Sequence, residues 1–213
     1  MKKQLIVMLE LQNDMNSKVH PDWRAQNFEW YRAIWVECAE LLDHYGWKWW
    51  KQQEPNIDQI MLELVDIWHF GLSILLLREG SVTSIAENLE KELSNPLPKG
   101  EFKIDLEDFA EFTLNTGSFD AQRFYKMMVD VDMSFNQLYI GYVSKNVLNF
   151  FRQDHGYQDG SYSKRWGTKE DNEHLMDIVG QLDPNSASFQ NDLYSRMQNL
   201  YQQLVEQTTV VGS

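Results

Sequence analysis

Four acids carry the chemistry most legible in this chain. Glu37 and Glu40 lie in "WVECAELLDHYGWKWWK" (35–51), and Glu63 and Asp66 lie in "QIMLELVDIWHF" (59–70). Both pairs are spaced i, i+3. Successive helical residues turn by about 100°, so each pair sits about 60° apart on one helix face. Ile34 and Leu41 share the face of the first pair; Ile60, Ile67, Phe70 and Ile74 share that of the second. Carboxylates set into an apolar stripe are costly unless they are paired or bind a cation. One reading has these acids edging a solvated groove or pairing with Lys and Arg. The other has them converging, where they would repel one another until cations neutralised them. Hard oxygen donors select Mg²⁺, with Mn²⁺ as substitute, and Mg²⁺ commonly shares itself with substrate phosphates. Two or more such ions could clamp a polyphosphate and activate a water. His69 follows Asp66 by three residues and raises a di-iron alternative. Di-iron bundles use Glu-x-x-His on two helices, whereas here there is one His, after an Asp. Otherwise His69 is a satisfied core histidine or a pocket residue.

A phosphate reading requires positive charge, and the net charge is -13. Such a chain is a poor non-specific ligand for nucleic acid or anionic membranes, so a local basic cluster stands out. "SKNVLNFFRQDHGYQDGSYSKRW" (144–166) supplies one. Lys145, Asn149 and Arg152 follow i, i+4, i+7 spacing on one helix face, and Tyr157, Lys164 and Arg165 follow in the loop. A solvated helix face would look the same, but Arg forks and Lys point charges are what polyphosphate oxygens need. No Gly-x4-Gly-Lys-Ser/Thr loop occurs, so metals and side chains must do the holding.

The elements that position these residues read as helices throughout. Periodic patterns cover 3–17, 27–45, 57–78, 81–93, 105–115, 119–133, 134–153, 170–181 and 186–207. Gly46 stops the second, Asn56 caps the third, and "SNPLPKG" is the clearest loop. No strand alternation is evident, "GYQDGSYSKRWGT" reads as a polar loop, and the tail "TTVVGS" is expected to fray. The pattern predicts an all-α helical bundle built around the two acid-bearing helices. With 213 residues, 43% apolar, one domain is expected. Cys38 is the only cysteine, which excludes an intrachain disulfide and a Cys-rich zinc site and fits a reducing, cytoplasmic setting. It reads as a small buried hydrophobe. The N-terminal apolar run is broken at once by Glu10, Gln12, Asn13 and Asp14 and reads as a mature helix. "FGLSILLL" is too short to span a membrane.

These residues match a known family. "ECAE" and "ELVD", separated by 22 residues, resemble the ExxE and ExxD signature of the all-α nucleoside triphosphate pyrophosphatases. "LQNDMNSK", the tryptophan-rich "WVECAELLDHYGWKWWK", "ELVDIWHF" and "SKNVLNFFRQDHGYQDGSYSKRWGTKEDNEHL" narrow the resemblance to the dimeric deoxyuridine triphosphatases (dUTPases). The resemblance implies Mg²⁺-dependent hydrolysis of dUTP, with dUDP also accepted, by a homodimer. It implies Glu37, Glu40, Glu63 and Asp66 as metal ligands, with Glu37 orienting and deprotonating the attacking water. It implies that Lys145, Arg152 and Lys164 hold phosphates beside Tyr157, and that Asn149 reaches the nucleoside. Uracil would fall to Gln12, Asn16, Trp50, Trp47 and His69. Without the resemblance, Gln12 and Asn16 read as an exposed i, i+4 pair, and the tryptophans as core. The segment 81–130 carries no motif and is expected to supply a mobile lid or the dimer face. The alternatives are a sister pyrophosphatase acting on dCTP or another nucleotide, and a non-enzymatic helical dimer.

Overall fold

The computed structural model describes residues 1–78, 80–184, 186 and 188–206, and divides into two compact units, 1–142 and 143–213. Among the described residues the chain is all-α apart from one small hairpin, with nine α-helices.

The first unit contains α1 (Lys2–Val19), α2 (Trp30–Tyr45), α3 (Ile57–Leu76), α4 (Val82–Leu93), α5 (Phe102–Thr116), α6 (Ala121–Asp130) and the start of α7 (Phe135–Asp154). Helix α3 is apolar nearly all round and is the central element, packed by α1, α2 and α4. Its Asn56 cap accepts from the Gln59 backbone N–H at 3.3 Å, which explains why it starts at Ile57. Helix α2 ends at Gly46, whose φ of +90° a side chain would resist. It starts at Trp30, three residues later than periodicity predicts, because Asn27 takes a left-handed φ of 53°. Helix α5 starts earlier than predicted, at a buried Phe102 that stacks on Tyr45 at 4.6 Å. Helix α6 is shorter than predicted: Asp120 caps it by accepting from Gln122 and Arg123, and Asp132 turns the chain at a φ of 56°.

Aromatic packing fixes α3 against the later helices. Trp68, fully buried, stacks on Phe124 at 5.1 Å and meets Phe119 edge-on at 5.8 Å. Gly71 lies one turn along, where a Cβ would fall 2.6 Å from the Phe119 ring. Gly71→Ala is therefore expected to destabilise the protein by about 1–3 kcal/mol through overpacking. Urea denaturation should show a lower midpoint with an unchanged slope.

The second unit contains the rest of α7, strands β1 (Arg165–Trp166) and β2 (Lys169–Glu170), α8 (Asp171–Val179), α9 (Phe189–Tyr201) and a π-helical turn (Gln202–Glu206). The hairpin corrects the expectation of a plain polar loop: Arg165 pairs with Glu170 and Trp166 with Lys169. Two residues per strand are too few to show alternation in sequence. The hairpin places a fully buried Trp166 against Phe151 and Tyr201, at 5.4 and 5.2 Å. Glu170 and Glu173 form a capping box that starts α8. The predicted fray of "TTVVGS" lies outside the described residues.

Candidate functional site

Helices α2 and α3 lie against each other along the first unit and bring three acids together. Glu37, Glu63 and Asp66 each offer a carboxylate oxygen, and these oxygens lie within 4.8 Å of one another. Glu63 is buried, and His44 Nε2 approaches its Oε1 at 3.4 Å. Burial, then the charges of Asp66 and Glu63, push the Glu37 carboxyl from its ordinary range up to about 8. At neutral pH without a cation, Glu37 thus retains its proton and hydrogen-bonds to Glu63. Glu40 departs from the expected buried stripe: it is exposed, on the side of α2 lined by Trp35, Val36, Ala39 and Asp43. Its charge still adds to the rise at Glu37. The i, i+3 rule puts the two acids on one face, but that face is wide enough for one to point inward and the other to solvent. Cys38, beside Glu37, is buried, and burial raises its thiol pKa, as an inert packing residue requires.

The Glu37 rise has a consequence for stability. The folded chain holds a proton that the unfolded chain releases above the ordinary carboxylate range. Raising the pH from about 5 to about 8 therefore removes stability from the metal-free protein. Its melting temperature should fall across that window, and saturating Mg²⁺ should flatten or reverse the slope. A melting temperature that stays level in Glu37→Gln, while it falls in the parent protein, would confirm the source. The same proton must leave when a cation binds, so apparent Mg²⁺ affinity should rise by up to about tenfold per pH unit below 8.

A second cluster in this unit is built from amides, hydroxyls and a His–Tyr ring pair. Gln12 and Asn16 are buried, which overturns their reading as an exposed pair. Gln12 Nε2 donates to Asn16 Oδ1 at 2.9 Å and to Ser73 Oγ at 3.1 Å; Asn16 Nδ2 donates to Ser73 Oγ at 3.0 Å. His69 Nδ1 lies 2.9 Å from Gln12 Oε1, and its ring stacks on Tyr142 at 4.1 Å. The Tyr142 hydroxyl faces both Met8 O, at 2.8 Å, and Gln12 Oε1, at 2.9 Å. Ser73 and Tyr142 are the residues that sequence reasoning missed here. Ser73 carried a signal, since a lone hydroxyl one turn after His69 in an apolar helix needs a partner.

Trp47, Trp49 and Trp50 are not core residues; they are 43%, 90% and 58% exposed. They pack edge to face on one another, with Trp50 5.3 Å from Trp47 and 5.4 Å from Trp49.

The second unit holds the basic cluster. Arg152 is buried, and its Nε and Nη2 donate to the two Asp171 oxygens at 2.8 Å each. Tyr162 donates to Asp171 Oδ2 at 2.8 Å. Burial works against the Arg152 charge, yet its carboxylate partner more than offsets this and holds the guanidinium pKa above the ordinary value. Burial, then the Asp171 charge, pushes the Tyr162 hydroxyl strongly upward, so it remains a donor. Tyr157 gathers two cations: Arg152 Cζ lies 5.8 Å and Lys164 Nζ 5.6 Å from its ring centroid. Lys145 and Asn149 are half-buried on α7. Asp171 was missed because a carboxylate in "KEDNEHL" looks like ordinary first-turn charge.

A family model described as dUTPase matches residues 4–157. The chain belongs to the all-α, dimeric dUTPase family. Members of this dUTPase family are dUTP and dUDP pyrophosphatases, generally Mg²⁺-dependent. The matched span takes in all four acids, the Gln12–Asn16 cluster and the α7 residues, and it ends at Tyr157, before Lys164 and Asp171. A search of curated proteins finds no match.

Proposed function

We propose that this dUTPase-family chain hydrolyses dUTP to dUMP and pyrophosphate, and dUDP to dUMP and phosphate, as a homodimer using Mg²⁺. The observation that carries the reading is the Glu37–Glu63–Asp66 trio, with oxygens within 4.8 Å, in a chain of this family. The donor set fits the ion: it is all oxygen, it is anionic, and the proton retained on Glu37 marks a local shortage of positive charge. Glu37, Glu63 and Asp66 would hold it, with Glu40 joining from the exposed side of α2. Bound there, Mg²⁺ would neutralise the acids and polarise the phosphoryl oxygens and the attacking water. Glu37, once stripped of its own proton, orients that water and accepts its proton. Lys145, Lys164 and Arg152 hold phosphate oxygens. Asp171 engages Nε and Nη2 of Arg152, a two-pronged contact that would hold the guanidinium fixed while Nη1 met a phosphate oxygen. Asn149 reaches the nucleoside, and Tyr157 steadies the two cations on its ring. Gln12, Asn16 and His69 read the uracil edge, and Trp50, with Trp47, offers an indole face to the ring.

The test is phosphate or pyrophosphate release with Mg²⁺ and, separately, dUTP, dUDP, dTTP, dCTP and UTP. The fastest turnover is expected with dUTP, and a chelator should abolish it. No release from dUTP above the chelator control overturns the reading, and faster turnover of dCTP replaces it with a sister pyrophosphatase. Sedimentation velocity tests the homodimer.

A further inference from the structure

The geometry points to Ser73 as the residue that sets uracil against cytosine, by locking the amide polarity of Gln12 and Asn16; this rests on the reading that those two amides meet the base. Ser73 is fully buried on α3. Its hydroxyl has one proton and two lone pairs. The proton goes to the His69 carbonyl at 3.2 Å, a group that can only accept. The lone pairs take Gln12 Nε2 at 3.1 Å and Asn16 Nδ2 at 3.0 Å. Its capacity is thereby filled.

Every other orientation fails at Ser73. If Asn16 alone is reversed, its Oδ1 competes with the His69 carbonyl for the one Ser73 proton. Its Nδ2 then faces Gln12 Nε2, donor against donor, across the present 2.9 Å bond. If both amides are reversed, three acceptors compete for that proton. Reversing Gln12 alone sets its Oε1 against Asn16 Oδ1, acceptor against acceptor, and any reversal of Gln12 takes its Oε1 away from His69 Nδ1–H, now at 2.9 Å. The tautomer of His69, the Gln12 amide and the Asn16 amide are thus one coupled setting, and Ser73 is its pivot.

That setting has a chemical meaning. Asn16 retains one N–H on Nδ2 and one lone pair on Oδ1 beyond its bonds to Ser73 and Gln12. This is a donor beside an acceptor, complementary to a uracil carbonyl beside its N3–H. Cytosine replaces N3–H by a lone pair and the adjacent carbonyl by an amino group, so the same amide meets it acceptor to acceptor and donor to donor. An amide free to turn would accept either base. Ser73 touches no reacting atom and is a positioning residue.

The experiment is kcat and KM for dUTP and dCTP with the wild-type protein, Ser73→Ala and Ser73→Thr, each checked by circular dichroism. The Ala variant should narrow the dUTP-to-dCTP ratio of kcat/KM at least tenfold, more through KM than through kcat, and Thr, which keeps the hydroxyl, should restore it. An unchanged ratio in the Ala variant, or a Thr variant no better than Ala, overturns the proposal. A wild-type protein that does not turn over dUTP overturns the functional reading itself, so the two failures are distinct. Should the variants fold poorly, ¹⁵N NMR of the wild-type His69 ring decides: the proton must be on Nδ1, and an Nε2–H tautomer reverses the Gln12 amide and overturns the lock.

Discussion

Glu63→Gln is expected to lower kcat/KM for dUTP by more than the ~10–100-fold typical of losing an outer partner of a metal site, while the helical circular dichroism is unchanged. Glu63 is the most buried of the three acids whose oxygens cluster within 4.8 Å, and both Glu37 and His44 lean on it. Gln keeps the shape and one oxygen but removes the charge on which a hard divalent ion depends. The stability of the metal-free protein should move the other way. Without a cation the acids repel, and repulsion from Glu63 is one of the causes that raise Glu37. Glu63→Gln should therefore raise the metal-free melting temperature at pH 8 and remove most of the further rise on adding Mg²⁺. The joint result, more stable and inactive, separates a functional acid from a structural one. A variant that is destabilised and still active would sink the assignment. Glu40→Gln tests the exposed fourth acid: loss of turnover is expected, and retained activity would restrict the site to the trio.

Asp171→Ala is expected to cost about 3–5 kcal/mol, because it leaves the Arg152 cation buried without its partner. The two-pronged contact, at 2.8 Å on each arm, makes this a charge pair with its geometry fixed and not a mobile surface bridge. Tyr162 would lose its acceptor as well. Replacing both charges by apolar residues, Arg152→Met with Asp171→Leu, should recover much of that stability, since a buried ion pair is rarely better than good packing. It should not recover turnover if Arg152 holds phosphate as proposed, because that grip would be gone. Urea denaturation and dUTP turnover on the same samples check the pair. Recovery of both would mean that Arg152 is structural only. Asp171 lies beyond residues 4–157, so recovered stability without recovered turnover would also show that chain outside the family match serves the site.

Much of the helix inventory was legible because its causes are local. Asn56 capped α3 and Gly46 closed α2 where predicted, since a cap hydrogen bond and a positive φ involve only a few neighbouring residues. Helix ends that depend on partners far along the chain were misplaced. Phe102 extends α5 because Tyr45 is there to stack on, and the hairpin exists because Trp166 needs a buried place.

The site divides along the same line. Residue type and spacing alone determined that two acid pairs lie on single helix faces, and that Lys145, Asn149 and Arg152 share another, because 100° per residue is a property of the backbone. Tertiary structure alone decided which acids converge. Helix α2 meets α3 so that Glu37 turns inward and Glu40 outward, a choice set by the rotation of one packed helix against another and not by either sequence. It also decided that Gln12 and Asn16 are buried, that Ser73 joins them from a different helix, and that Arg152 has a carboxylate partner 19 residues away. Hydrogen bonds of that range follow from where helices pack, and no local pattern encodes them.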